Sequence, residues 1–279
     1  MTHEVYYCTM SFVESSDNLV DTARRARVNI LKMLHSARAS HLGSSMSIVE
    51  LLVASYSILD IEKIKSKSRF RDRVIVSKGH AAAATYSVMH EFGLIDSNTL
   101  NSYHQKGSFL QGHVSHGVSG VEHSTGALGH GLSVGVGHAY FLKTFKSSSK
   151  VIVVCGDGEV QEGSVWEALM FASTKKLGNL ILLVDVNEIS SIKATEDVIS
   201  TGDLADRFRG FGLNVSWVDG HDLAKLIVAM KDTKMDSSPL VLLCRTTKGK
   251  GVDFAENQPI WHYRSLDNET FSSAMEALK

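Results

Sequence analysis

An α/β fold with a mostly parallel central sheet is what this sequence predicts, and three observations carry the expectation. The first is the stretch Val151–Ile189, VIVVCGDGEVQEGSVWEALMFASTKKLGNLILLVDVNEI. An apolar run leads into Gly156-Asp157-Gly158. Val165, Ala168, Leu169 and Ala172 follow at helical spacing, and a second apolar run ends at Asp185 and Asn187. Strand, turn, helix and strand make a βαβ unit, whose strands are parallel and whose crossover is right-handed. The second observation is a pair of further apolar runs, Arg73–Ser77 and Leu240–Cys244, which read as buried strands. The third is size. The chain has 279 residues without a long linker, repeat or low-complexity tract, which suits one large domain over 1–279. Residues 1–14 show no period and are a candidate N-terminal arm.

Composition removes several function classes. A net charge of −1 gives no basic field for nucleic acid or an anionic membrane. No apolar run reaches transmembrane length, and MTHEVYYCTM lacks a signal-peptide pattern. The three cysteines, Cys8, Cys155 and Cys244, are scattered, and the last two fall in buried-strand patterns as small core residues. A cytoplasmic protein without disulfides is expected. Thirteen histidines are an excess that needs a reason.

In chain order, Ser15-Ser16-Asp17 signals a helix start, and Leu19, Val20, Ala23, Ala26, Ile30, Met33 and Leu34 keep a helical stripe to about Arg38. The polar run Ser40–Ser47, which holds His41, reads as a loop before a helix over Ile48–Leu59. The strand Arg73–Ser77 ends in Ser77-Lys78-Gly79-His80, directly before the alanine-rich helix Ala81–Phe92. Such a turn puts backbone N–H groups at a helix start, a phosphate seat to which His80 could add a charge-assisted bond. Gly107–Gly137 is rich in glycine and histidine, lacks a period and opens a helix over Leu128–Leu142, as a backbone-shaped binding loop would. The spacing of His113, His116, His123 and His130 fits no common zinc pattern, so cofactor and substrate contact is the better reading.

Beyond the βαβ unit, Thr201–Phe211 reads as a helix. Leu213–Val218 alternates as a strand and ends in Asp219-Gly220-His221-Asp222, ahead of a helix over Leu223–Met230. His221 there reads as a turn and capping residue. After the last strand comes Thr246-Thr247-Lys248-Gly249-Lys250-Gly251, either an anion seat or a pair of solvated lysines. Asp267–Lys279 is a short amphipathic helix.

The chemistry concentrates on the βαβ unit. Ligands of parallel sheets sit outside the carboxyl ends of the strands, and Asp157 and Asn187 converge there from neighbouring strand ends. A carboxylate and an amide oxygen make a hard-oxygen site suited to Mg²⁺ shared with a phosphate. The flanking glycines let the backbone approach a diphosphate.

Gly156-Asp157-Gly158, then Glu162-Gly163-x-x-Trp166-Glu167-Ala168, then a strand ending in Asp185-x-Asn187 resembles the thiamine-diphosphate site of transketolases. With Ser77–His80, Ser124–Leu132, Thr246–Gly251 and Trp261-His262 in the same order, the similarity runs from about Ala23 to Arg264. The resemblance implies the three-layer α/β/α thiamine-diphosphate-binding fold of the PP type. It implies thiamine diphosphate with Mg²⁺ (or Ca²⁺ or Mn²⁺ in its place), the metal resting on Asp157, Asn187 and the Ile189 carbonyl. The implied cofactor contacts are His80, Gly126, Ala127, Leu128, Gly156, Asp157, Gly158, Glu162, Asn187 and His262. The implied catalytic set is His41, His80, His113 and His262, orienting hydroxyls and shuttling protons as groups that titrate near neutrality. Glu162 matches a family Glu near the two-fold axis; on the residues alone it is a first-turn helix acid. His116, His123 and His138 match no family role and are expected to be structural. Ser190–Thr195 departs from the family, which has an Asp-Gly pair near Ile192-Lys193. Without that glycine the loop is expected to take another path.

These motifs belong to the part of a transketolase that holds the cofactor's diphosphate. The family's pyrimidine-binding domain supplies the Glu that activates the cofactor and most of the arginines that hold a sugar phosphate. The chain therefore resembles the N-terminal subunit of a split, two-chain transketolase. The implied assembly is α2β2 with a C-terminal subunit, moving a two-carbon ketol unit between ketose and aldose sugars or sugar phosphates. Two alternatives stay open. One is another thiamine-diphosphate enzyme subunit, deoxyxylulose-phosphate synthase-like or 2-oxo acid decarboxylating. The other is a non-catalytic cofactor-binding scaffold.

Overall fold

The computed structural model describes residues 16–231, 233–234 and 237–279. The arm expected over 1–14, with Cys8, lies outside the described residues.

Among the described residues five strands form: β1 (Arg73–Val76), β2 (Val151–Gly156), β3 (Leu180–Val186), β4 (Asn214–Asp219) and β5 (Leu240–Arg245). All neighbours pair parallel, in the order β1-β2-β3-β5-β4. The sheet expected to be mostly parallel is wholly so among the described residues. Side chains alternate across a strand, and the apolar runs therefore feed two cores. Val74, Val76, Ile152, Val154, Ile181, Leu183 and Leu242 face one core, shared with helices over Ser16–Ala37, Val49–Ser57, Ala82–Glu91, Leu223–Lys231 and Asn268–Ala277. Ile75, Val151, Val153, Leu180, Leu182, Val184, Val241 and Leu243 face the other, under helices over His130–Thr144, Gly163–Thr174 and Leu204–Gly210. This is a three-layer α/β/α architecture. β4 pairs only with β5 and leaves Asn214, Ser216 and Trp217 exposed, which is why its sequence alternates, while β3 is buried throughout and apolar at every position but Asp185.

Three boundaries move for local reasons. The helix expected over Leu128–Leu142 runs His130–Thr144, because Gly129 at φ +82° stands at its N-cap. The helix expected over Thr201–Phe211 starts at Leu204, where the Asp203 carboxylate accepts the Asp206 N–H at 3.0 Å. The run Ser40–Ser47, expected as a polar loop, instead contains a buried helix over Leu42–Met46 with His41 at its N-cap. Cys155 and Cys244 are buried free thiols. Among the described residues no helix is long and apolar enough to cross a membrane.

Because every strand runs the same way, the chain leaves β1, β2, β3 and β5 at one end of the sheet. Ser77–His80, Gly156–Gly158, Asn187–Ile189 and Thr246–Lys248 are the residues found there. Gly79 passes so close to the next loop that a Cβ would lie 2.4 Å from the Thr125 carbonyl.

Candidate functional site

Asp157 follows β2 directly and is 5% exposed. Its carboxylate oxygens accept the Gly158 N–H at 2.7 Å and the Glu188 N–H at 2.6 Å. Burial, helped by the nearby Asp185 carboxylate, pushes its pKa up to about 6. Across the β2–β3 pair, Asn187 donates its amide N–H to Asp185 Oδ2 at 3.0 Å, which fixes the amide flip. The Asn187 Oδ1 accepts the Ile189 N–H at 3.2 Å. Glu188 between them adopts φ +61°, a left-handed conformation rare for a residue with a side chain.

Asp185, which sequence reasoning missed as a candidate, organises this end. It is fully buried and accepts from Ser47 at 2.8 Å, from Thr246, from Lys78 and from Asn187. Burial raises its pKa, but the Lys78 charge together with the hydrogen bonds from Lys78, Thr246 and Ser47 outweighs burial, and the carboxyl stays below the usual range. Glu159 is a second residue that the sequence does not single out. Its buried carboxylate accepts from Ser77 and from the N–H groups of Gly129 at 2.8 Å and Gly156 at 3.2 Å, tying β1, β2 and the His130–Thr144 helix together. Lys248 corrects the solvated-lysine reading. It is 2% exposed and donates to the carbonyls of Ile189 at 2.9 Å and Ser190 at 2.6 Å. Burial and the neighbouring Lys78 bring its pKa down to about 8.

The four histidines named from the resemblance meet above this floor. Ring centroids lie 5.4 Å apart for His41 and His80, 5.6 Å for His41 and His113, 5.1 Å for His41 and His262, and 5.1 Å for His80 and His262. The loops carrying them are bonded to one another: the His41 N–H donates to the His262 carbonyl at 3.0 Å and the Val114 N–H to that of Gly79 at 3.1 Å. The expected titration near neutrality is corrected for three of them. Burial, with His113 and the two lysines, lowers His41 to about 4. Burial and Lys248 lower His262 to about 3, and burial and Lys78 take His80 well below the usual range. These three rings are neutral at pH 7 and serve as hydrogen-bond partners of either polarity.

One cavity of about 430 Å³ gathers these groups. His41, His80, His113, His262, Gly126, Leu128, Gly156, Asp157, Gly158, Glu162, Asn187 and Ile189 all line it, together with Lys78, Glu159 and Lys248. Ala127 does not; it is exposed, because the left-handed Gly126 and Gly129 on either side turn the loop outward there. Glu162 is the exposed N-cap residue of the Gly163–Thr174 helix. His116 bonds Ser124 Oγ at 2.6 Å. The Ser190–Thr195 loop closes without a glycine: the Ser190 N–H bonds the Lys193 carbonyl at 2.9 Å and the Ser190 hydroxyl bonds the same oxygen at 2.8 Å. Ile192 there lines the cavity.

The residues present fit a divalent cation with a diphosphate. Asp157 is a buried carboxylate that stands with an amide oxygen and a main-chain carbonyl, all hard donors. Among the described residues no three His, Cys, Asp or Glu side chains converge on a metal position, so a cation here draws on amide, carbonyl and ligand oxygens. Lys78 and Lys248 supply positive charge beside it.

Residues 16–278 match the family model described as transketolase, thiamine diphosphate binding domain. The chain belongs to the transketolase family. A subunit of the apulose-4-phosphate transketolase of Actinobacillus succinogenes is 36% identical over 95% of this chain and 97% of its own length. A 6-deoxy-6-sulfo-D-fructose transketolase subunit from a Clostridium species is 30% identical over 95% and 98%. The crystal structure of Campylobacter jejuni transketolase matches with a TM-score of 0.87 at 29% identity, covering 95% of this chain but 43% of that one. The chain thus corresponds to the thiamine-diphosphate-binding part of a transketolase, and it is a transketolase subunit of the kind that split enzymes carry.

Proposed function

We propose that this chain is a single thiamine-diphosphate-binding domain that works in the cytoplasm as the N-terminal subunit of a split transketolase. Its partner is a separate C-terminal subunit carrying the pyrimidine-binding domain, in an α2β2 assembly. The reaction moves a two-carbon ketol unit from a ketose to an aldose, with phosphorylated or otherwise modified sugars as substrates. The observation that carries this reading is the single cavity in which Asp157, Asn187, Ile189, Lys78 and Lys248 lie below four converging histidines. The relatives named for apulose-4-phosphate and 6-deoxy-6-sulfofructose support the modified-sugar class.

In this reading Asp157, Asn187 and the Ile189 carbonyl hold Mg²⁺. Lys78, Lys248, His80 and the Gly156–Gly158 backbone hold the diphosphate. When bound, thiamine diphosphate supplies the electron sink on which a carbon–carbon bond beside a carbonyl is broken and remade. The chain's own residues position the sugar. As neutral rings, His41, His80 and His262 donate to or accept from its hydroxyls and, with His113, move protons along hydrogen bonds. Glu162, which is exposed and lines the cavity, is the residue this reading assigns to the interface with the partner chains.

The test is to purify the chain alone and with its C-terminal subunit, and to assay release of an aldose from a ketose donor with thiamine diphosphate and Mg²⁺. Activity is expected only in the mixture, with weak cofactor affinity in the lone chain. Full activity of the lone chain overturns the split-enzyme reading. Turnover of pyruvate without a ketose donor overturns ketol transfer.

A further inference from the structure

His221 lies in the turn after β4, outside the cavity lining, yet both its ring nitrogens are engaged. Its Nδ1 meets Glu50 Oε2 at 3.0 Å, and its Nε2 accepts the Thr247 N–H at 2.8 Å. A main-chain N–H can only donate, so Nε2 carries the lone pair and Nδ1 the proton. Glu50 is 8% exposed and holds a second arm: Arg27 donates to its two oxygens at 2.6 and 2.8 Å. The same Arg27 donates through Nε to the Lys250 carbonyl at 3.1 Å. One buried carboxylate thus orients two side chains that pin the loop at Thr247 and at Lys250, on either side of Lys248. The carboxylate is firmly ionised; burial raises its pKa, but Arg27 and His221 outweigh that and bring it down to about 2. The loop turns through Gly249 at φ +84° and Gly251 at φ +88°, and beyond Lys248 the Gly249 N–H donates to the Gly43 carbonyl at 3.0 Å; before Lys248, the partner of the Thr247 N–H is the His221 ring.

We infer that His221, set by Glu50 and Arg27, is a positioning residue that holds Lys248 in the cavity for an anionic phosphate ligand. The inference rests on the reading of Lys248 as a diphosphate contact. His221 touches no part of the cavity itself and acts through the Thr247 backbone.

The experiment is calorimetric titration of Mg²⁺ and inorganic pyrophosphate into the full chain as wild type, His221→Phe, Lys248→Met and the double variant. Each single change should weaken binding roughly tenfold, and the double variant should bind about as Lys248→Met does, the non-additivity of residues acting through one group. His221→Gln, which keeps an acceptor for the Thr247 N–H, should recover most of the affinity. Losses that multiply in the double variant overturn the positioning role while leaving Lys248 as a ligand contact. Unchanged binding in Lys248→Met overturns the diphosphate reading itself, and this inference with it. Ring-nitrogen NMR of the wild-type chain provides a readout independent of the variants' folding. A protonated Nδ1 and a bare Nε2 are expected, and the opposite tautomer contradicts the arrangement.

Discussion

At the floor of the cavity, Asp157, Asn187 and Ile189 follow β2 and β3 within three residues of the strand ends. Their places are set by covalent proximity to a buried parallel sheet and by the fully buried Asp185. At the wall, His41, His80, His113 and His262 come from four loops far apart in sequence. Hydrogen bonds among these segments tie them to one another, such as that from the His41 N–H to the His262 carbonyl at 3.0 Å and that from the Val114 N–H to the Gly79 carbonyl at 3.1 Å. The floor is a scaffold site, and the wall is an assembled one. The difference suggests a division of labour: charge for the diphosphate and its cation on rigid strand ends, hydrogen-bonding rings on loops that can change with substrate.

The largest effect expected is at the floor. Asp157→Ala should abolish Mg²⁺-dependent thiamine diphosphate binding by the assembled enzyme, since a diphosphate would then face an incomplete cation shell. Calorimetry returning wild-type affinity would break the metal assignment.

Next comes the support beneath it. Asp185→Asn leaves the Lys78 ammonium buried without its counter-charge, and removing one partner of such a pair costs about 3–5 kcal/mol. Urea unfolding of the chain should show a loss of that order. A loss under about 1 kcal/mol, the level of a surface pair, would mean that the floor is not the scaffold described.

A pH-dependent effect belongs to the wall. His41 and His262 titrate at about 4 and about 3 when folded, and His80 is also lowered, against about 6.5 in an unfolded chain. Between pH 6.5 and 4 these three side chains bind protons in the unfolded chain that they refuse in the folded one, and their contribution to stability is lost as pH falls through that window; Asp157, raised to about 6, works in the opposite direction at one site. The melting temperature of the ligand-free chain should drop over this range, and drop less steeply in His41→Asn. Superimposable profiles for the two proteins would remove the wall histidines as the cause.

The same contrast explains what could be read from sequence. β1, β2, β3 and β5 were legible because strands buried on both faces are apolar at nearly every position. Asp157 and Asn187 were legible because a parallel sheet puts its ligands at known strand ends. The convergence of His41, His80, His113 and His262 carried no local signal and came only from the resemblance. Asp185, Glu159 and Glu50 were silent because most of their partners are remote; Ser47 and Asp185 stand 138 positions apart, and His221 and Glu50 171. Lys248 looked like a surface lysine because nothing local says that the Leu42–Met46 helix crosses it, where a Cβ on Gly43 would lie 3.2 Å from its Cγ.

The division of labour is tested most directly by measuring cofactor affinity and turnover together in the assembled enzyme carrying His262→Ala or His41→Ala. Turnover should fall by ~10²-fold or more, as for groups that orient or move protons, while thiamine diphosphate affinity stays near wild type. A loss of cofactor affinity as large as the loss of turnover would place these histidines in the diphosphate site and contradict the account.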